Sequence, residues 1–195
     1  MQIRTHKFTN APMFFCTKII IFNHYNCVTH LQLFSGKTVE INNTDAEGRL
    51  VLGDGVAHAS KMLSPVPDLI VDMATLTGAQ LVTTGKRHAA VQSNSADAEA
   101  RAVAAGMRSG DLTFPILYCP EFHRAEFASK VADMKNSVKD RMNAQASCAG
   151  AFVGEHLDAA YEGSWLHVDM AGPATREERG TGYGTGLLLS LADVA

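Results

Sequence analysis

The chain has no aspartate before position 45, and Glu40 is its only acidic residue up to that point. An acidic ligand cluster therefore cannot be drawn from its first 44 residues. It has only four cysteines, Cys16, Cys27, Cys119 and Cys148, none in a C-x-x-C spacing. At 195 residues, a disulfide framework is not needed to build a core, so these read as reduced thiols of a cytoplasmic protein. His24 and His30 lack the close pairing with Cys16 and Cys27 that a tetrahedral zinc site prefers. There is no excess of positive charge either, since 17 Lys and Arg stand against 20 Asp and Glu and the net charge is -3. The basic residues are scattered, which argues against nucleic acid as a partner. Apolar runs are short: Met13–Cys16 and Ile19–Phe22, preceded by Arg4 and Lys7, have the look of a signal-peptide core. Lys18 divides them, no small-residue cleavage site follows, and they are too short to span a membrane. Secretion is kept as the minor alternative.

What is present is enough apolar residue, 46%, for one sizeable core in a single domain. From Lys37 onward short apolar runs alternate with longer Ala-rich, helix-periodic ones, the pattern of an α/β layer architecture. Strands are expected at 37–41, 68–73, 88–92, 112–117 and 165–169. Helices are expected at 47–63, 97–108, 121–127, 145–161 and 186–192. Residues 1–34 are Phe-, Asn- and His-rich without a clear period, and are expected to be an atypical leader, not native to the domain that occupies 35–195. Two strands end alike, in Val71-Asp72-Met73-Ala74 and Val168-Asp169-Met170-Ala171. Ligands of open α/β sheets bind beyond the carboxyl ends of strands, so both following turns are candidate pocket walls. Asp72 and Asp169 themselves read as backbone-bonding turn residues.

The stretch Asn42-Asn43-Thr44-Asp45-Ala46-Glu47-Gly48-Arg49-Leu50 supports two readings. In one, Thr44 and Glu47 form a T-x-x-E capping box and the helix that follows buries Leu52, Val56, Ala59 and Leu63. In the other, Asp45 and Glu47, two apart on an extended approach to the helix, aim both carboxylates at a metal. Gly182-x-Gly184-x-Gly186 reads as a turn into the last helix; a nucleotide site there would need a strand before it.

The string NTDAEGRL is similar to the signature of the leucine aminopeptidase (cytosol aminopeptidase, M17) family of metallopeptidases. The resemblance continues through DLIVDMATLTGA, TGKRHAAVQSN, SKVADMKNS, WLHVDMAGPA and GTGYGTG, from about Ser35 to Ala195, and is nearest to the animal probable-aminopeptidase branch. It implies a mixed sheet flanked by helices, like the C-terminal catalytic domain of leucine aminopeptidases truncated at its N-terminal side. Carried over to this sequence, it implies metal ligands at Asp45 and Glu47 for two divalent ions, Mn²⁺ or Zn²⁺ with Mg²⁺ as a third option. The ions would activate a water between them. Arg49 would be the catalytic arginine, holding bicarbonate as general base in an anion site shared with Ala46 and Gly48. Its planar fork suits such an anion. Thr75, Leu76, Gly78 and Ala171 would contact the substrate, a peptide with a free N-terminus, in a homo-hexamer. Full members also carry, upstream, lysines and further aspartates that this sequence does not contain. The chain alone is therefore expected to be weak or inactive, and a non-catalytic module assembling with full-length subunits is the alternative.

Overall fold

A computed structural model describes residues 30–140 and 142–192. In chain order the elements are β1 (His30–Gln32), β2 (Thr38–Glu40), α1 (Gly48–Met62), β3 (Leu69–Ala74), α2 (Gly78–Thr83), β4 (Ala89–Ser93), α3 (Ala96–Ser109) and β5 (Thr113–Pro115). They continue with α4 (Pro120–His123), β6 (Met134–Lys135), α5 (Gln145–Gly154), β7 (Ser164–Asp169), β8 (Thr175–Arg176), β9 (Arg179–Gly180) and α6 (Thr185–Leu191).

The main sheet has the order β3-β7-β4-β5, with β7 parallel to β3 and antiparallel to β4, and β5 parallel to β4. It is a mixed sheet, as expected. Side chains alternate between its faces. Ala89 and Val91 of β4 and Leu166 and Val168 of β7 pack with Ala102, Ala105, Leu187 and Leu191 of α3 and α6. On the other face Ile70 and Trp165 meet Val56 and Ala59 of α1 and Val153 of α5. Helix α5 is buried on all sides from Ala146 to Val153, because its far side closes a second core. There Phe152 and Cys148 join Leu33, Val39, Phe127 and Met134, beneath the small sheet β1-β2-β6. Cys148 and the half-buried Cys119 are both free thiols.

Local chemistry sets the ends. Ser95 caps α3 by accepting from the Ala98 amide, and Gly110 ends it in the left-handed conformation that glycine adopts without strain. The helix expected over 145–161 stops at Gly154, where the α-carbon lies against Trp165 and Tyr118 so closely that a Cβ would be 3.0 Å from both. The helix expected over 121–127 divides into α4 and a 3₁₀ turn, Arg124–Phe127.

The leader expected over residues 1–34 falls largely outside the described residues. Its last part, however, pairs and packs with the domain: His30 to Gln32 lie opposite Glu40 to Thr38, and Leu33 is core. Among the described residues no helix is long and apolar enough to cross a membrane.

Candidate functional site

The segment before α1 does not take either form expected of it. Thr44–Ala46 is a 3₁₀ turn capped by Asn43, whose side chain accepts from the Asp45 amide, and Glu47 is already helical with no side-chain cap of its own. Thr44 and Glu47 therefore form no capping box, and Asp45 and Glu47 are not presented on an extended strand. Turning the chain at Thr44 lets Asn43, one residue earlier, reach the amide instead.

A fully buried asparagine holds this turn in place. Asn136 accepts from the amides of Asn42 and Asn43 (3.0 and 3.2 Å) and donates to the carbonyls of Asn43 and Ala46 (2.6 and 3.3 Å). Its own carbonyl accepts from Arg49 Nη1 at 3.0 Å. Arg49 is further supported by the Phe152 ring, 6.0 Å from the guanidinium carbon. Its Nε is buried with no partner among the described residues. Burial lowers the Arg49 pKa to about 10, with Cys148, Asp169 and Glu47 pulling the other way; the group stays charged at neutral pH.

Arg49 lines a cavity of about 160 Å³. One side of it is Asn43, Asp45 and Ala46, and the other is Leu76, Thr77 and Gly78 from the loop between β3 and α2. Ser137, Val138 and Gln145 complete it. Gly48 lies behind this wall, where a Cβ would stand 3.3 Å from Leu76 Cδ1. Asp169, fully buried at the end of β7, accepts from the amides of Leu76 (3.1 Å), Thr77 (3.4 Å) and Ala171 (3.2 Å) and from the Thr77 hydroxyl (2.6 Å). The backbone-bonding role expected of Asp169 is what the structure has. Asp72 differs: it accepts from Trp165 Nε1 at 2.7 Å and pairs with His167 Nδ1 at 2.6 Å, bonds between buried side chains of neighbouring strands.

Asp45 and Glu47 are exposed, and neither carboxylate has a hydrogen bond or ion pair among the described residues. Two free carboxylates on a rigid turn are suitable donors for a hard divalent ion. They do not complete a two-metal centre, because no group of three or more His, Cys, Asp or Glu able to hold a metal exists among the described residues.

The catalytic-domain model of the cytosol aminopeptidase family matches residues 25–189. The chain belongs to this family. It is 60% identical over 159 residues to the probable aminopeptidase NPEPL1 of Mus musculus, covering 82% of this chain and 30% of that protein. With leucine aminopeptidase 1 of Caenorhabditis elegans it shares 46% identity over 162 residues, covering 83% of this chain and 33% of that protein. Among solved structures, the apo leucyl aminopeptidase of Trypanosoma cruzi superposes with a TM-score of 0.84 at 55% identity, over 86% of this chain and 33% of that one. The Trypanosoma brucei enzyme in complex with bestatin gives 0.84 at 48% identity, over 88% and 33%. The chain thus spans about a third of the length of these aminopeptidases.

Of the residues singled out from the aminopeptidase resemblance, the cavity brings together Asp45, Ala46, Arg49, Leu76 and Gly78. Glu47, Thr75 and Ala171 are not among its lining residues, and Gly48 contributes through its approach to Leu76. Asn43, Thr77 and Gln145 line it without having been singled out, as does the Ser137-Val138 pair. Asn136 carried no usable signal, since one asparagine between Lys135 and Ser137 reads as loop surface. Gly182 and Gly184 have positive φ, and Gly184 heads α6. The Gly-rich tail is thus a turn into that helix.

Proposed function

We propose that this chain carries the anion- and substrate-binding half of a metal-dependent aminopeptidase site, acting on peptides with a free N-terminus. The observation that carries the reading is Arg49: a half-buried, charged guanidinium whose buried Nε has no partner among the described residues, set between Asp45 and the Leu76–Gly78 wall of one cavity. A charged donor with bonding capacity left over suits a planar, carboxylate-like anion such as bicarbonate. Glu47 leaves the first turn of α1 without a side-chain cap, so the positive helix end beside Ala46 and Gly48 adds to the attraction. Thr75, Leu76, Gly78 and Ala171 are assigned to peptide binding, on two loops that leave neighbouring strands β3 and β7.

Asp45 and Glu47 would supply two carboxylates to Mn²⁺ or Zn²⁺, and the further ligands would come from sequence outside these 195 residues, as a subunit of a hexamer or another assembly provides it. Measured alone, the chain is expected to be weak or inactive, since removing ligands that act together removes nearly all catalysis. The lack of a third donor among the described residues equally favours a second reading, a non-catalytic module that assembles with full-length subunits. A cytoplasmic location is assigned to either form, supported by the free thiols of Cys119 and Cys148.

Calorimetric titration with Mn²⁺ and Zn²⁺ tests the proposal, comparing the chain with an Asp45→Ala/Glu47→Ala variant. Binding of two ions, lost in the variant, supports the enzyme reading. One weakly held ion supports the module, and binding unchanged by the substitutions refutes the assignment of both carboxylates.

A further inference from the structure

Strands β3 and β7 end side by side, Ala74 opposite Asp169, and the chain leaves each into one wall of the site. The backbone link between the walls is the Met170 amide bonding to the Ala74 carbonyl at 2.8 Å. Beyond it, two fully buried side chains cross between the walls in opposite directions. Asp169, from β7, reaches the loop after β3, taking the amides of Leu76 and Thr77 and the Thr77 hydroxyl, while also holding the Ala171 amide of its own loop. Gln80, from α2 on the β3 side, reaches the loop after β7, where its Oε1 accepts from the Gly172 amide. Its Nε2 is anchored by the Thr84 hydroxyl (2.6 Å) and the carbonyls of Gly85 (3.0 Å) and His88 (2.8 Å). Thr77 joins the two ties: its hydroxyl donates to Asp169 and accepts from the Gln80 amide at 3.1 Å. Gly172 permits the approach, since a Cβ there would collide with the Gly85 carbonyl and lie 2.8 Å from Gln80 Oε1.

We infer that Asp169 and Gln80 are positioning residues that set the shape of the substrate pocket, each acting on the wall opposite its own. Neither lines the cavity beside Arg49. They hold the residues assigned to the substrate: Leu76 through its own amide, Ala171 through its own amide and that of Gly172. Leu76 in turn packs against Gly48, so a displaced loop also disturbs the start of α1, where Arg49 and Glu47 stand. The chemistry is particular to these side chains. An ionised carboxylate accepts all four bonds, whereas asparagine keeps the three amide bonds on its oxygen and offers an NH₂ that the Thr77 hydroxyl can accept. A glutamate at position 80 keeps the shape but points an oxygen at two carbonyls.

The inference rests on the substrate-site reading given above, and its test separates the two. Amide exchange by NMR is measured on the chain and on Asp169→Ala, Asp169→Asn and Gln80→Glu. Binding of a leucyl dipeptide analogue with a reduced, uncleavable peptide bond is measured with Mn²⁺ present, alongside its alanyl counterpart. Loss of several buried hydrogen bonds in Asp169→Ala is expected to weaken leucyl binding about tenfold or more. It should also shrink the leucyl-over-alanyl preference, which a set pocket holds at roughly tenfold or above. Exchange protection should vanish at Leu76, Thr77 and Ala171 while the amides inside β3 and β7 keep theirs, Asp169→Asn should restore most of both, and Gln80→Glu should expose Gly172. Unchanged protection at those amides in Asp169→Ala would overturn the inference. So would a preference unmoved by any variant while binding falls only in step with thermal stability. If the unsubstituted chain binds neither analogue, the aminopeptidase reading fails on its own. Exchange then still decides whether the two ties hold the loops: protection lost only at the named amides supports them, and protection kept removes them.

Discussion

The floor of the site and its rim are built on opposite terms. In the floor, Asp72, His167 and Trp165 bond to one another inside the sheet, and Asp169 and Gln80 spend their polar atoms on the two loops above it. At the rim, Asp45 and Glu47 stand in solvent with no partner among the described residues, on a turn that Asn43 and Asn136 hold from behind. Buried polar groups without partners cost folding free energy, whereas exposed carboxylates cost almost nothing to leave unpaired. The floor thus has to be complete for the chain to fold, and the rim does not. Where a site is shared between segments, the shared part is the part that stability does not protect.

Substitutions should divide along that line. The largest effect is expected of Asp72→Ala, which strands a fully buried His167 and the Trp165 indole N–H; breaking such a buried pair costs about 3–5 kcal/mol, read by urea denaturation. Gly172→Ala should cost less, about 1–3 kcal/mol for forcing a methyl into a packed site, because the obstacle is the Gly85 carbonyl, backbone that cannot swing aside.

Next comes the pH dependence of stability. Burial pushes His167 down, but the charge and hydrogen bond of Asp72 outweigh it and its pKa is raised. That contribution is complete below the ordinary imidazole value of 6.5 and is lost as pH rises through the raised value. His156, bonded to the Ser35 hydroxyl at 2.8 Å, does the reverse, since burial and then Lys37 lower its pKa to about 4. The unfolded chain binds this proton first, so stability falls as pH drops from 6.5 toward 4. Denaturation across this range should show Asp72→Asn removing the alkaline loss and His156→Gln the acid one. The smallest effect is at the rim. Asp45→Ala and Glu47→Ala should each leave stability within about 0.5 kcal/mol, while divalent-ion binding by calorimetry disappears. A rim variant that unfolds the chain would erase the distinction.

What could be seen in the sequence follows the same division in part. Leu52, Val56 and Ala59 at helical spacing placed α1 to within a residue at either end, and the apolar runs placed all four strands of the main sheet. These signals are periodic, so each residue repeats the message of its neighbours. Helix α2 was not legible because six residues, Gly78–Thr83, give too few turns to show a period. The cap moved from Thr44 to Asn43 because both residue types can cap, and only the 3₁₀ turn chooses between them. Asn136 and Gln80 were invisible for another reason. A lone polar residue in a mixed run looks like surface, and what makes each one a hub is a set of backbone atoms brought in by the fold. Arg49, Leu76 and Gly78 emerged only through family resemblance, and for Asp45 that resemblance alone favoured a metal over a plain helix start, since no local pattern separates the two readings.

The pairing of β3 with β7 carries a consequence for how the protein is made. Asp72 and His167 are 95 positions apart, and the ties that shape the loop after β3 are supplied by Asp169, with Gly172 completing the other wall. A chain emerging from the ribosome presents Leu76 and Gly78 long before anything exists to hold them, and chains fold as their partners appear. The loop after β3 therefore gains its side-chain ties only once β7 is paired between β3 and β4. A nascent chain stopped short of β7 would contain every lining residue of the cavity and lack the Asp169 carboxylate that holds the loop after β3.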